Sequence, residues 1–451
     1  MNIRQTFNTI RQEKLFSTIY IVGTALAITF TMIQCIVLYV KMADIYPSKN
    51  RSHTQYVLDL MSKKKGSDYY RCRKMSKKMF DDYLYHLKNA EIVCANRSTT
   101  GDFSDDCWKY VQLHEGEKSV RLVRTDPNFF RIYPYTFLSG HAFTWDDMEG
   151  GYHQAVITDR MATQIFGSDT DPIGKTIRVE QNETSDKDDE HNDEYTVCGV
   201  VRGGSSLIFE GYGEIFIPLT SYQEQSYLTP EEAAIPPYCY IGSYEAILLV
   251  RDKAQLAALK EELNEVAHRI PLLENQECHM IQPTNHAQYS LMRHKGPNTA
   301  SFQTDREYLI NLLLTFCVLL LVPALNLCGM VAARMKERIA EMGVRKCFGA
   351  TKTMLLRLVI NENLTLTLLG GMLALVICWL LLGTYDAWIF SLFMKPYEIQ
   401  GYATTTVDML FAPTVFLASL IICFVLNLLA ALIPTWWSLR KPIVESMMEK
   451  K

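Results

Sequence analysis

The sequence predicts an α-helical membrane protein with four transmembrane helices and a large mixed α/β extracytoplasmic domain, in which an α/β layer carries an inserted β-rich subdomain. Three observations predict it: four long stretches without charge, an uneven placement of Lys and Arg beside them, and strand–helix–strand patterning at both ends of the segment between the first two. The bulk composition, 48% hydrophobic and 21% charged over 451 residues, resembles a soluble protein only because apolar and charged residues are segregated along the chain.

Residues 15–40, 308–333, 363–385 and 409–439 contain no Asp, Glu, Lys or Arg. Each exceeds the roughly 20 apolar residues that carry a helix across a ~30 Å hydrocarbon core. The first run is too long for the ~7–15-residue core of a cleaved signal peptide, and no small-x-small site follows Val40 and Lys41, so it reads as a retained anchor. Ahead of it, Ile3, Phe7 and Ile10 share one face of a short amphipathic helix, with Arg4, Arg11 and Lys14 elsewhere.

Basic residues set the orientation. The N-terminal tail (Arg4, Arg11, Lys14, Glu13) carries net +2, and so does the C-terminal tail (Arg440, Lys441, Lys450, Lys451, Glu445, Glu449). Between the second and third spans, Arg334, Lys336, Arg338, Arg345, Lys346, Lys352 and Arg357 stand against Glu337, Glu341 and Glu362, net +4. Between the third and fourth, Lys395 stands against Asp386, Glu398 and Asp408, net −2. The chain therefore divides into an N-terminal amphipathic cytoplasmic helix (1–14), a first span (15–40), an extracytoplasmic domain (41–306), a second span (307–333) and a cytoplasmic segment (334–362). A third span (363–385), a short outer loop (386–408), a fourth span (409–437) and a cytoplasmic tail (438–451) complete it. With the whole chain at −4, the exterior segment holds about −10, which argues against nucleic acid or anionic lipid as its ligand.

Within the exterior segment, 54–60 is strand-like, Met75, Met79, Phe80, Tyr83, Leu84 and Leu87 mark a helix face, and 91–96 is a strand. The pattern recurs as a strand at 244–250, a helix carrying Leu256, Leu259, Leu263, Val266 and Ile270, and a strand at 278–282. Both units flank a region, about 101–240, richer in strands and turns.

Chemistry-bearing motifs are few. Twelve cysteines divide between the spans and the exterior without CxxC or His-containing metal spacing. A Cys94–Cys107 bridge is open, but a free buried thiol is the favoured reading. The acidic run 183–194 matches no calcium-binding loop and reads as a solvated hairpin tip. Gly174, Lys175 and Thr176 imitate the end of a phosphate-binding loop, but Asp169 stands where its first glycine belongs, so this chain holds no nucleotide site. No HExxH or GxSxG occurs, and the histidines show no regular spacing; no catalytic or metal-ligating set is expected. The polar groups of the spans (Gln34, Asn311, Asn326, Asn427) are expected to knit helices together, and Pro323 to kink the second span.

One stretch points to a family. Glu341-Met-Gly-Val-Arg-Lys-Cys-Phe-Gly-Ala350 is similar to the EIGVRKxxGA signature that follows the second span in MacB/FtsX-type ABC permeases. Asn361 to Leu369 resembles that family's ExLLLT segment, and Leu439 to Glu445 its closing RxxPxEAL. Asp126-Pro-Asn-Phe-Phe130, Phe137-Leu-Ser-Gly140, Ala155 to Gly167, and Asp171 to Ile177 leading to Tyr195–Val200 resemble the MacB-like periplasmic core domain. Cys347 and Phe348 depart from the usual aliphatic signature.

The resemblance implies a non-catalytic permease subunit of the bacterial inner membrane. It implies a cytoplasmic ABC ATPase as partner, on which ATP and Mg reside, and a second permease protomer, identical or related. For export it also implies a periplasmic adaptor or outer-membrane factor. Family function implies conversion of ATP-driven closure into periplasmic motion. The alternatives are an FtsX-like activator of a cell-wall hydrolase or a lipoprotein-releasing permease. The ATPase-coupling residues expected are Glu341, Gly343, Arg345, Lys346, Gly349 and Ala350. The competing expectation for this segment is a positive-inside anchor, in which charge matters and shape does not.

Overall fold

A computed structural model describes residues 14–66, 70–97, 108–113, 116–180, 192–221, 231, 234–272, 275–286, 289, 310, 314, 344–345, 347–392, 409 and 413–440. The chain forms two compact units: Met1–Val40, Arg306–Met394 and Thr405–Lys451 make one, Lys41–Asp305 with Lys395–Thr404 the other. In chain order the elements begin with α1 (Lys14–Met42), β1 (Thr54–Lys64), β2 (Tyr70–Arg73), α2 (Lys77–Asp82), β3 (Ile92–Arg97), β4 (Trp108–Gln112) and β5 (Glu117–Thr125). Then come β6 (Phe137–Gly140), β7 (Gln154–Thr158), α3 (Asp159–Phe166), β8 (Thr176–Glu180), β9 (Asn192–Val201) and β10 (Ile215–Pro218). Last are β11 (Tyr244–Leu249), α4 (Leu256–Arg269), β12 (Gln276–Asn285), α5 (Lys352–Ser391) and α6 (Pro413–Arg440).

The larger unit joins the two strand–helix–strand motifs into one sheet, ordered β12-β1-β11-β3 with every neighbour antiparallel. This is the split βαβ arrangement, two interleaved β-α-β motifs sharing one sheet. Side chains alternate across it, as the pleat requires. Val57, Ala246 and Leu248 join Met79, Phe80, Leu259, Leu263 and Val266 of α2 and α4 in one core. Tyr56, Leu58, Ile247 and Leu249 face the other way, into a core with Phe129, Ile132, Tyr133 and Phe216. The helical reading of 75–87 is corrected in part. α2 starts where Ser76 caps the Met79 amide and ends at Tyr83, whose backbone (φ −134°) leaves the helix; a tighter turn, Leu84–His86, keeps Leu84 buried. The Glu262 carboxylate of α4 then accepts the amides of Lys88 and Asn89 and holds this turn against the second motif.

The insertion between β3 and β11 is a closed ring of strands. β5 pairs with β4, β4 with β8, β8 with β9, β9 with β7, β7 with β10, and β10 back to β5, the β5–β10 and β7–β9 pairs being parallel. Alternate residues, Val120 and Leu122, Ala155 and Ile157, Ile177 and Val179, Ile215 and Ile217, share one apolar core with Met161 of α3. Closing the ring leaves these six strands no unpaired edge on that circuit. The expected β-rich insertion is thus a small barrel.

Layer and barrel meet where β3 pairs β5 at Asn96 and Thr125. Asp126 sits at this junction, fully buried. Its carboxylate accepts the Ala95 amide at 2.7 Å, the Tyr85 hydroxyl at 2.8 Å and the Asn128 amide at 2.9 Å. Burial pushes its pKa up to about 6, although the three hydrogen bonds pull the other way. Cys94 is a free buried thiol beside the Thr125 hydroxyl; Cys107 lies outside the described residues.

In the smaller unit, α1 and α5 approach through small residues. A Cβ on Gly370 would press on Thr24, and one on Gly371 on Leu420 of α6. The Thr29 hydroxyl reaches the Ala374 carbonyl at 3.3 Å, besides its own-helix bond to Ala25. This is the close small-residue packing that holds helices together in lipid. Gln34, expected to tie helices together, is 5% exposed, and among the described residues its amide has no hydrogen-bond partner. The side chains of Asn311, Pro323, Asn326 and Asn427 lie outside the described residues, as does residue 1–13 of the amphipathic segment.

Among the described residues two helices are long and apolar enough to cross a membrane, Ser17–Met42 and Leu364–Ser391; α6 adds a shorter apolar stretch, Pro413–Ile422. The second expected span, 307–333, is described only at Ile310 and Leu314. α5 differs from the expected boundaries at its start. It starts at Lys352, so the last third of the segment 334–362 is continuous with the third span. At Tyr385 (φ −131°), where the third span was expected to end, the helix breaks, and a second helical stretch follows to Ser391.

Candidate functional site

The expected coupling residues cluster at the entry to α5. Glu341, Gly343 and Lys346 lie outside the described residues; Arg345, Gly349 and Ala350 are described. Val344 and Arg345 are helical, and the helix ends in a turn at Phe348 and Gly349. The Phe348 amide donates to the Val344 carbonyl (3.2 Å), and the Ala350 amide reaches back five residues to the Arg345 carbonyl (3.0 Å). Gly349 lies at φ +87° between them. That six-to-one bond with a left-handed glycine is the Schellman ending, which satisfies orphan carbonyls and turns the chain sharply. Thr351 follows at once as N-cap of α5, its hydroxyl accepting the Met354 amide at 3.3 Å. The helical residues Val344, Arg345 and Cys347 thus lead through a hydrogen-bonded turn into α5, and a side chain at 349 would find nothing within 4 Å but would strain the backbone.

Sequence reasoning missed what this turn displays. Phe348 is 88% exposed, and Val344 and Met354 are also exposed. Val344 and Phe348 are four residues apart, hence on one helical face. Arg345 beside them is half-buried. An apolar knob at the tip of a rigid turn, with cations in the adjoining sequence, is suited to a protein groove rather than to water. The available signal was Phe348 itself, a large aromatic in a signature usually aliphatic there.

The other quoted motifs lie at bends of the barrel. Phe137 to Gly140 is β6, laid along β9; Gly140 takes φ +67°, and a Cβ there would collide with the Cys198 carbonyl. Ala155 to Gly167 is β7 followed by α3, capped by Thr158 and ended at Gly167 (φ +84°). Gly174, Lys175 and Thr176 form a turn into a strand, not into a helix. The Gly174 amide donates to Val197, that of Lys175 to Pro172, and the Lys175 ammonium lies 5.4 Å over the Phe166 ring. A phosphate-binding loop presents such amides to its ligand from a helix N-terminus; here they are spent on the barrel. Of the acidic run, Asn192–Glu194 belong to β9, where Glu194 pairs with Arg178 at 2.8 Å; 183–191 lie outside the described residues. Among the described residues no group of three or more His, Cys, Asp or Glu side chains could hold a metal ion.

Two helices long and apolar enough to cross a membrane and one large split-βαβ domain carrying a barrel give the build of a membrane-anchored protein. The MacB-like periplasmic core domain matches residues 19–266, more than half of the chain, and the FtsX-like permease C-terminal region matches 313–443. The chain belongs to this family of MacB/FtsX-type ABC permeases. It is similar to the pyoverdine export ATP-binding/permease protein PvdT of Pseudomonas syringae pv. tomato, 24% identical over 269 residues, 59% of this chain and 36% of that protein. It is likewise similar to the uncharacterized ABC transporter permease YknZ of Bacillus subtilis, 20% identical over 265 residues, 59% and 58% of the two chains. The chain spans about a third of the length of the pyoverdine-export relatives it matches. Solved structures similar to it include the periplasmic region of MacB from Actinobacillus actinomycetemcomitans (13% identity, 54% of this chain and 92% of that one, TM-score 0.33). The extracellular domain of the transporter YknZ from Gram-positive bacteria is another (15%, 50% and 99%, TM-score 0.32).

Proposed function

We propose that this chain is the permease subunit of a MacB-like ABC transporter, coupling ATP hydrolysis on a separate ATPase subunit to conformational change outside the membrane, for export or mechanotransmission. In this reading four helices span the inner membrane, both termini and residues 334–362 face the cytoplasm, and two protomers pair. ATP and Mg stay on the ATPase, and this chain supplies no catalytic residue. The observation that carries the reading is the Gly349 turn ahead of α5, beside which Phe348, Val344 and Met354 are exposed. Export is preferred over hydrolase activation because the exterior unit is large for the latter, and because the PvdT relatives are named for pyoverdine export. An adaptor or outer-membrane factor belongs to the export reading alone.

The test is stimulation of ATP hydrolysis by permease reconstituted with its ATPase. Gly349→Leu forces a side chain into a left-handed backbone, a strain of about 1–3 kcal/mol, and Phe348→Ser removes the knob without touching the turn. Both are expected to lower stimulation at least ~10-fold with insertion intact, the loss expected when an interfacial anchor worth about 1.4 kcal/mol or more is removed. Arg345→Lys with Lys346→Arg keeps charge and is expected to retain stimulation. Full stimulation by both Gly349→Leu and Phe348→Ser would overturn the docking role and leave the segment as a charge anchor.

A further inference from the structure

α5 leaves helical geometry where its charge-free run ends. Residues 363–384 contain no Asp, Glu, Lys or Arg, and at about 1.5 Å per residue they cover roughly 33 Å, close to the ~30 Å of a hydrocarbon core. At Tyr385 (φ −131°, ψ 28°) the backbone breaks, and the next residue, Asp386, is the first charge after Glu362. The helix restarts there, the Asp386 carboxylate accepting the Ala387 amide at 2.7 Å, and ends at Ser391. Acyl chains offer nothing to the amides and carbonyls that an exposed break frees, whereas headgroups and water do. Length, charge and backbone geometry thus agree on Tyr385 as the point where a spanning helix would leave the core.

The side chains beyond that point fall into two sets. Ile389 and Phe390 are buried, whereas Tyr385, Trp388 and Leu392 are 60%, 63% and 61% exposed. Trp388 and Leu392, four residues apart, share one helical face. Large apolar side chains grouped in this way are costly in water. Trp and Tyr each join an apolar ring to a polar N–H or O–H, the combination favoured at a membrane boundary, with the ring toward the acyl chains and the polar group toward headgroups and water. A protein partner fits this face less well. Close helix contacts in lipid use small residues, and those of α5 are already taken: Gly370, Gly371 and Ala374 are buried, the first two against Thr24 and Leu420, the third accepting from Thr29. From 372 to 380 the exposed face of α5 carries Met372, Leu373, Leu375, Val376, Trp379 and Leu380, the bulky side chains that a span presents to lipid.

We propose that, with α5 as a membrane span, Tyr385, Trp388 and Leu392 form an interfacial anchor that seats the end of α5 in the phospholipid headgroup boundary, on the side of the membrane away from residues 334–351. Trp388 and Tyr385 lie at headgroup level, and Leu392 rests on the upper acyl chains. The buried pair Ile389 and Phe390 keeps the short stretch 386–391 against the protein while its other face meets lipid. None of this depends on what docks at the Gly349 turn.

The experiment uses the full chain in phosphatidylcholine nanodiscs whose acyl chains carry bromine, a contact quencher of indole emission, either near the headgroups or at the chain ends. The emission of Trp388 is read as the difference between wild type and Trp388→Phe, and that of Trp379 as the difference between wild type and Trp379→Phe. Trp388 is expected to lose more emission to bromine near the headgroups than to bromine at the chain ends. Trp379, deeper than Tyr385 by roughly 9 Å along the helix, is expected to lose a larger share to chain-end bromine than Trp388 does. Quenching of Trp379 with none of Trp388 would leave the span standing and overturn the anchor. Aqueous iodide would then tell a face left in water, which it quenches, from one covered by a second protomer, which it does not reach. Stronger quenching of Trp388 by chain-end bromine would also overturn the anchor, by placing the residue inside the core. If neither tryptophan is quenched at either depth, α5 is not a lipid-facing span, and the anchor falls with the reading on which it rests.

Discussion

Asp126 shows how one residue can set the join between two substructures. Its three hydrogen bonds tie β3, the turn after α2 and the start of the 126–130 motif to one carboxyl group. Its folded pKa, about 6, exceeds its ordinary 3.8, so the group's contribution is full below the unfolded value and lost as pH rises through the folded one. Between pH 4 and pH 7 the loss is on the order of 3 kcal/mol. Thermal unfolding of full-length wild type in nanodiscs should carry that component, and Asp126→Asn, which cannot ionise, should lack it. Equal pH slopes for the two proteins would show that Asp126 does not titrate in this range. The motif was legible from the sequence as a family resemblance. Why it begins with Asp was not, because Ala95 and Tyr85 come to it through folding.

At the scale of elements, β6 depends on a single glycine. The strand runs beside β9 only because Gly140 turns at φ +67° with its α-carbon against the Cys198 carbonyl. Gly140→Ala adds both backbone strain and a main-chain collision, together about 2–4 kcal/mol. It should lower the unfolding midpoint of the full chain far more than Gly151→Ala, where φ is also positive but nothing lies within 4 Å. Comparable losses in the two variants would mean that φ alone matters at 140. The turn at Gly349 has the opposite surroundings: φ is positive there too, but a Cβ would meet nothing within 4 Å. The charge at Asp386 marked an end at 385, and the backbone does leave helical geometry at Tyr385, beyond which a second helical stretch runs to Ser391.

At the scale of the whole molecule, the basic residues set the expected topology. The bias of +4 in the segment 334–362 against −2 in 386–408 predicts that cysteine-reactive or reporter probes find Gly296 outside and Lys352 inside. Lys352 reached from outside in intact cells would reverse the orientation and remove the basis for a cytoplasmic docking turn. Gly296 reached from inside would place the larger unit in the cytoplasm.

By itself, the sequence determined the class. Charge-free runs, basic flanks and two strand–helix–strand patterns are local signals, written in residues close together, and they survive in any arrangement of the chain. The alternation of Val57 with Tyr56 and Leu58, and of Ala246 and Leu248 with Ile247 and Leu249, belongs with them. Closure of the barrel, the Asp126 junction, exposure of Phe348 and the meeting of Arg51, Glu210 and His286 were decided only by the tertiary structure. The contacts among these require residues from about 30 to more than 200 positions apart to share a surface, and the exposure of Phe348 depends on how the chain packs beside it. Such contacts follow from which strands pair and which faces pack, and a single sequence carries no local pattern for that.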